Sequence, residues 1–320
     1  SKSLTKHKTG DILLSIIGTI GAPYIAKKND KFGLSSSVSI IRPKKINSDY
    51  LYYWIKTPMF QDSIRQIKSG VAQSFLSLKM IGSLPISYPK TESDQQKIAK
   101  ILSNYDDLIE NNLKRIELLE EFTKQIYKEW FLRFNINNKK LKIDSKSSLP
   151  FGWIKKELKG FFPINTGKKD ANIKSENGRY PFFTCSQKTL RTDSFSFDTD
   201  AIILAGNGVF NVKYFRGKFE AYQRNYVLIP YDSGYLFLLF LHISYHLKQI
   251  THGSKGSVIK YITKDMIEKI NFVDPPKETL NQFNKKIIPL FDLIENLNNQ
   301  NKFLKESRDI LLPRLMSGMI

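Results

Sequence analysis

Two long stretches of the chain carry apolar residues at steps of three and four. In the first, Ile98, Ile101, Tyr105, Leu108 or Ile109, Asn112, Ile116, Leu119, Thr123, Ile126 and Trp130 make a heptad-like seam, with charged residues between them. That spacing predicts one helix over Asp94–Phe134, about 40 residues and about 60 Å long. In the second, Ile287, Leu290, Ile294, Leu297, Asn301, Leu304, Arg308, Leu311 and Leu315 repeat the pattern. Pro289 lies inside it, which predicts a kink or a late start, and Pro313 weakens the last turn. A helix with such a stripe has to bury it, and the economical partner of each is the other. Parallel and antiparallel packing both satisfy the stripe. The antiparallel choice gives internal pseudo-twofold symmetry.

Elsewhere short apolar runs alternate with Gly- and Pro-containing turns, the signature of strands. "YLFLLFLHISYHL" (Tyr235–Leu247) is the most apolar run, too short for a bilayer and read as a buried helix. "NINNKKLKIDSKSS" (Asn135–Ser148) is polar and reads as a linker. "SSLPFGW" then opens a new domain.

The chain also repeats itself. The letters DLIEN begin at Asp107 and again at Asp292, 185 positions on. Upstream, Ile67–Leu102 aligns with Ile250–Ile288. Each runs through a Gly, a polar turn, a short β-like segment, a short helix, a strand and a Pro-rich turn into the long helix. Further back, "GDILLSIIGTIG" (Gly10–Gly21) resembles "TDAIILAGNGVF" (Thr199–Phe210). The second copy has Leu149–Phe197 in front, and the first has nothing to match it, so the first looks short by a block of about 45–50 residues. An antiparallel pair centred on position 114 sets Asn112, the polar member of the first seam, opposite Asn301. The two are predicted to fix the register of a coiled coil. The competing reading has both facing solvent.

Composition narrows the partners. Lys and Arg number 50 against 30 Asp and Glu, a formal charge of +20. Such an excess points to nucleic acid or another anionic surface, with codon bias toward Lys and Asn as the plain alternative. No membrane span and no signal peptide are visible. The first residue is Ser rather than Met, which suggests a missing leader or tag. Cys185 stands alone, so no internal disulfide forms and a reducing cytoplasm fits.

Catalytic patterns are near-misses. "DPPK" (Asp274–Lys277) has Lys277 where an amino-methyltransferase needs an aromatic to stack on a flipped base, and reads as a Pro turn before a helix. "AGNGVF" (Ala205–Phe210) lacks the third Gly of a dinucleotide loop, and "GSKGS" (Gly253–Ser257) is too short for a P-loop. His242 and His246 stand one helical turn apart but lack a third ligand, so a packed or surface pair is expected and no metal site. Cys185 lies in an apolar strand-like run and reads as buried rather than nucleophilic. No catalytic residue is assigned.

The candidate DNA contacts are basic and amide residues in the turn-rich parts. They are Lys27, Lys28, Lys68 and Gln73 in the first copy. In the second they are Lys168, Lys169, Arg179, Gln187, Lys188, Arg191, Lys213, Arg216, Arg224, Lys255 and Lys260. Lys and Arg neutralise phosphates; Arg, Gln and Asn read base edges. For any one of them solvated surface is the stronger reading; as a set they fit a domain that grips DNA with loops on a β-rich scaffold.

In this duplicated order the residues resemble the specificity (S) subunit of type I restriction–modification systems. The resemblance is carried by "KSGVAQSFLSLKMIGSLPISYPKTESDQQKIAKIL" and its twin "GSKGSVIKYITKDMIEKINFVDPPKETLNQF". "LPFGW", "YPFFTCSQ" and "GKFEAYQRNYVLIP" (Gly217–Pro230) add to it, and together they cover nearly the whole chain. It implies an α+β fold: two β-rich target-recognition domains separated by two long helices packed as an antiparallel coiled coil. The expected boundaries are 1–91 and 149–277 for the recognition domains, 92–134 and 278–320 for the spacer helices, and 135–148 for the linker. It further implies a non-catalytic chain that reads a split target on double-stranded DNA and scaffolds two methyltransferase (M) subunits and restriction (R) subunits. No cofactor is expected on this chain; S-adenosylmethionine belongs to the M subunits, ATP and Mg to the R subunits. The short first domain departs from that pattern. Its causes stay open: residues missing from the sequence, which the absent Met favours, a natural shortening, or completion by another chain. Two other readings compete: the C-terminal recognition part of a fused restriction–methyltransferase enzyme, and a structural coiled-coil adaptor.

Overall fold

The computed structural model describes residues 6–69, 75–251 and 261–319. The chain divides into two compact units, Ser1–Ile116 with Asn296–Ile320, and Glu117–Glu295. Both long helices pass from one unit into the other.

The first unit holds a three-stranded antiparallel sheet in the order β2 (Pro23–Ile25), β1 (Ile12–Ser15), β3 (Val38–Ile41). Ile12, Leu13 and Leu14 are all buried, as suits a central strand covered on both faces. Helix α1 (Ser48–Lys56) starts where the Asn47 side chain accepts the Tyr50 amide. Two more helices follow, α2 (Pro58–Ser69) and α3 (Leu78–Gly82), and then the long α4 (Glu92–Tyr127). Ile12, Leu14, Tyr50, Trp54 and Ile55 form one core with Ala99 and Leu102 of α4 and with Leu312, Leu315 and Met316 of the C-terminal helix. Here the two long helices run antiparallel: Asn112 meets Asn301, and Asp106, further back, meets Arg308, further on. The seam holds from Ile109, Asn112 and Ile116 onward but is displaced at its start. Leu102 is fully buried while Ile101 is 43% exposed. The first turns of α4 face a core shared by the sheet, α1 and the end of α7, which moves the buried stripe by one position.

The second unit begins with the end of α4, which widens into a π-turn over Lys128–Leu132. The expected polar linker is instead folded. Asn137 (φ 51°) and Asn138 (φ 63°) both adopt the left-handed backbone that asparagine tolerates. They turn β4 (Asn135–Ile136) onto β5 (Lys139–Lys140). Next come β6 (Ile154–Glu157), β7 (Ile164–Thr166), β8 (Tyr180–Phe183) and β9 (Leu190–Thr192). They are followed by β10 (Phe197–Ala205), β11 (Val212–Ala221) and β12 (Asn225–Leu228). The main sheet has the order β7-β12-β10-β11-β8-β9, with only β11 and β8 parallel. Its central strand and the two that follow it in sequence match the β2-β1-β3 trio. The three outer strands β7, β8 and β9 all come from Leu149–Phe197, the block without a counterpart in the first unit.

After Tyr235, which closes a 3-10 turn, the apolar run to 247 lies in α5 (Leu236–Thr251), buried along Leu236–Leu239, Leu241 and Ile243. Helix α6 (Lys264–Glu268) leads into β13 (Asn271–Asp274), which pairs with β6. The strand expected in the first unit does not form at Pro85–Pro89, where the Ser87 and Pro89 carbonyls accept instead from the Tyr50 hydroxyl and the Gln95 side-chain amide. A strand needs a partner, and β6 belongs to the unmatched block. Helix α7 then runs unbroken from Lys277 to Met316, through Pro289 and Pro313, so it does not start late. Pro289 is exposed, as is Lys285, whose carbonyl loses its helical donor and is left to water. Within this unit Trp130 and Phe131 at the end of α4 pack on Phe283 at the start of α7, again antiparallel. No helix among the described residues is long and apolar enough to cross a membrane.

Candidate nucleic-acid interface

In the second unit five short segments are tied together by main-chain hydrogen bonds. Gly167 donates to the Asn225 carbonyl and Gln223 to the Lys169 carbonyl. Gly206 donates to the Arg224 carbonyl and Ile262 to the Gly206 carbonyl, 2.9 and 2.8 Å. The Tyr226 hydroxyl donates to the Ile262 carbonyl. The loop after β8 joins through Asn225, whose amide donates to the Phe183 carbonyl at 2.8 Å and whose Oδ1 lies 3.1 Å from Cys185 Sγ. The approach is close enough to exclude side chains. A Cβ on Gly206 would stand 2.5 Å from the Arg224 carbonyl oxygen.

The cluster presents Lys168, Lys169, Gln187, Lys188 and Arg224, all exposed, from three different segments. Asn207, Gln223 and Tyr261, which the sequence reading did not single out, share a cavity with Arg224, Thr166 and Tyr226. The concentration of cationic and amide groups on loops fixed by backbone bonds is what phosphate contact and base-edge reading need. Lys213 sits beside it rather than on it. Its ammonium donates to the Ser186 carbonyl at 2.9 Å, and burial holds its pKa below the usual range. Cys185 is half-buried, and burial pushes its thiol up, away from nucleophilic use.

Other candidates are used elsewhere. Arg216 is held by Asp292 at 2.7 Å and Glu295 at 2.5 Å on α7, so it anchors the sheet to the helix. The pairing outweighs burial and raises its pKa. Arg191 braces the loop before β8 by donating to the carbonyls of Gly178 and Arg179. Arg179 is exposed at the end of β8 away from Ser186. Lys27 and Lys28 are exposed in the first unit, where Lys27 lies 3.7 Å from Glu110. Gln73, Lys255, Lys260 and the side chain of Lys68 lie outside the described residues, as does Gly253–Ser257.

The histidine pair is a packing feature. His242 Nε2 donates to the Asn271 carbonyl at 2.9 Å, which leaves Nδ1 to accept the Tyr127 hydroxyl at 2.8 Å. Burial, then His246, lowers its pKa to about 3, so the ring is neutral. Asp274 of the "DPPK" turn accepts from Tyr235 and Lys156, and Lys277 pairs with Asp232. No group of three or more metal-ligating side chains occurs among the described residues.

On the seam, Asn112 Nδ2 donates to Asn301 Oδ1 at 3.1 Å and approaches Gln300 Oε1 at 3.4 Å. Both asparagines are buried, and Asn301 Nδ2 has no partner.

A duplicated unit of sheet and long helix, with a basic loop cluster on the better-formed copy, defines a DNA-reading class of protein. The family described as "Type I restriction modification DNA specificity domain" matches residues 1–121 and 150–306, and the chain belongs to it. It is 28% identical to the MjaIX specificity subunit of Methanocaldococcus jannaschii, over 99% of this chain and 79% of that protein. It is 37% identical to the EcoDI specificity subunit of Escherichia coli, over 54% of this chain and 40% of that one. A crystal structure of a type I S subunit from M. genitalium shares the fold at a TM-score of 0.62 and 17% identity, covering 98% of this chain and 84% of that one.

Proposed function

We propose that this chain is the non-catalytic DNA-reading subunit of a type I restriction–modification complex. Residues 1–91 and 149–277 each take one half of a split target, and α4 and α7 set the unspecified gap between the halves. The observation that carries this is the loop cluster of Lys168, Lys169, Gln187, Lys188 and Arg224, held by main-chain bonds in a member of the DNA specificity family. The antiparallel contacts of the long helices within each unit agree with a spacer role.

The faces of the helices turned away from the seam are the proposed seats of two M subunits, which bring S-adenosylmethionine. R subunits join with ATP and Mg. Leu108, Leu113, Leu118 and Phe122 on α4 and Phe303 and Ile310 on α7 are at least half exposed, more apolar surface than a solvated helix carries. The test is selection from a random duplex pool with the M subunit present, or mapping of methylated adenines in the host. A two-part motif with a constant gap is expected. A contiguous motif, or no enrichment, would overturn the proposal.

A further inference from the structure

Each unit builds the same main-chain frame at one end of its sheet. In the second unit the Gly206 amide donates to the Arg224 carbonyl at 2.9 Å, the Ile262 amide donates to the Gly206 carbonyl at 2.8 Å, and Asn207 bridges Tyr261. In the first unit the Ile16 amide donates to the Ser37 carbonyl at 2.8 Å, the Leu76 amide donates to the Ile16 carbonyl at 3.1 Å, and Ile17 bridges Phe75. Both frames join the loop after the central strand, the residue before the last strand of the trio and the segment before a short helix, α6 or α3. Position by position, Ile17 stands for Asn207, Ser37 for Arg224 and Phe75 for Tyr261.

The frames present different chemistry. In the second unit Asn207, Gln223 and Arg224 stand beside Tyr261 around a cavity of about 280 Å³. Among the described residues no carboxylate or carbonyl holds the Arg224 guanidinium, whereas Arg216 is claimed by two carboxylates and Arg191 by two carbonyls. The turn that carries Arg224 is pinned: the Tyr222 amide donates to the Phe183 carbonyl and the Gln223 amide to the Lys169 carbonyl, both at 2.9 Å. A bidentate contact to a base edge has to be aimed from a fixed backbone, while a phosphate contact tolerates a mobile lysine. In the first unit the same places hold two apolar side chains, Ile17 at 45% and Phe75 at 40% exposure, next to Ser37. The apolar feature of the major-groove edge is the thymine methyl. The length of the first unit does not decide this exposure. In the second unit, where Leu149–Phe197 is present, Tyr261 is still 64% exposed and Arg224 is exposed.

We propose that this frame is the base-reading element of each recognition domain, and that its two copies select by opposite chemistry. Arg224 takes the O6 and N7 edge of a guanine in one half of the target. Ile17 with Phe75 takes a thymine methyl in the other. Lys168, Lys169 and Lys188 hold phosphates around the first of these. The assignment rests on the DNA-reading function proposed above and adds which residues discriminate and which base each one selects.

The test uses the full chain with the M subunit, selected on a random duplex pool. Arg224→Ala and Ile17→Ala alter exposed side chains and leave the main-chain bonds of the frame in place. Arg224→Ala is expected to reduce a guanine preference at one position of one half-site by about tenfold or more, with the other half-site and the salt slope unchanged. Ile17→Ala is expected to erase a thymine preference in the other half alone. On the selected duplex, 7-deazaguanine at the first position should weaken the parent about tenfold and the Arg224→Ala variant not at all. Uracil in place of the thymine should weaken the parent several-fold and the Ile17→Ala variant not at all. A parent motif that Arg224→Ala leaves unaltered would overturn the proposal. So would an equal loss on all sequences with a salt slope lower by about 1, the mark of a phosphate contact, or a uracil substitution that the parent does not sense. A parent that enriches no two-part motif would overturn the DNA-reading function itself, and this assignment with it.

Discussion

The Asn112–Asn301 contact allows a test with a worked magnitude. Asn301→Leu removes the acceptor at 3.1 Å and leaves Asn112 Nδ2 with only the long approach to Gln300. A buried amide without a partner costs about 1–3 kcal/mol, which offsets much of the gain from burying Leu, about 1.5–3 kcal/mol. Replacing both asparagines removes the orphan and keeps both gains. The single variants should therefore be near neutral or destabilised and the double variant more stable than the parent. The coupling energy should be about 1–3 kcal/mol in a double-mutant cycle read by guanidinium unfolding. Stability is not the purpose of such a pair. With two leucines the seam no longer penalises a slipped register. Spin labels at Asn111→Cys and Lys305→Cys, both exposed, in a Cys185→Ser background, report it. The parent should give one narrow distance, and the double Leu variant a second population displaced by about 10 Å, one heptad of rise. Additive single effects within about 0.5 kcal/mol, or a single unshifted distance in the double variant, would refute the assignment of register to these residues.

Three further outcomes follow from the same geometry. Burial pushes the Asp106 carboxyl up, but Arg308, Lys56 and Tyr53 together outweigh it and hold its pKa below the usual value. Its contribution is full above the unfolded carboxylate range and is lost as pH falls through the folded value. Asp106→Asn should flatten the acid limb of stability below about pH 4, measured by urea midpoints. His242, with a folded pKa near 3, cannot take the proton that an unfolded histidine takes below about 6.5. The second unit should lose about 2 kcal/mol between pH 7 and pH 5. His242→Gln should remove that slope, read by the fluorescence of Trp130 and Trp153 in a Trp54→Phe background. In DNA binding, Lys169→Ala or Lys188→Ala should each lower the slope of log K against log salt by about 1, whereas Arg216→Ala should leave it unchanged. Arg216→Ala should instead loosen the second unit, because it unties β11 from Asp292 and Glu295.

Periodicity made the two long helices and the buried α5 legible, because each is a one-dimensional pattern; the direction of the helix pair came from the repeat offset that sets Asn112 opposite Asn301 and from the family resemblance. Tertiary context decided the rest. Ile101 and Leu102 are equally apolar, and only the core below α4 selects Leu102. Asn137 and Asn138 look like linker residues until their backbone makes a turn. Pro85–Pro89 and Asn271–Asp274 have similar patterns, but only one has a partner strand nearby. The same limit applies to the interface. Arg216 and Lys188 are both basic residues near aromatics, and nothing local to Arg216 announces the two carboxylates that claim it. Gln223, Asn207 and Tyr261 were missed because they cluster only once the sheet is closed. The glycines at positions 167 and 206, where the backbones nearly touch, were the one available signal.

The β4–β5 hairpin bears on how force travels along the chain. Between the π-turn ending at Leu132 and Trp153 there is no slack, because the two-asparagine turn folds the path back on itself and Trp153 presses on Phe131 and Phe134. A twist applied to the end of α4 reaches β6 through packed rings instead of being absorbed by a loose tether. The joint works as a weld, and lengthening it with glycine would turn it into a swivel.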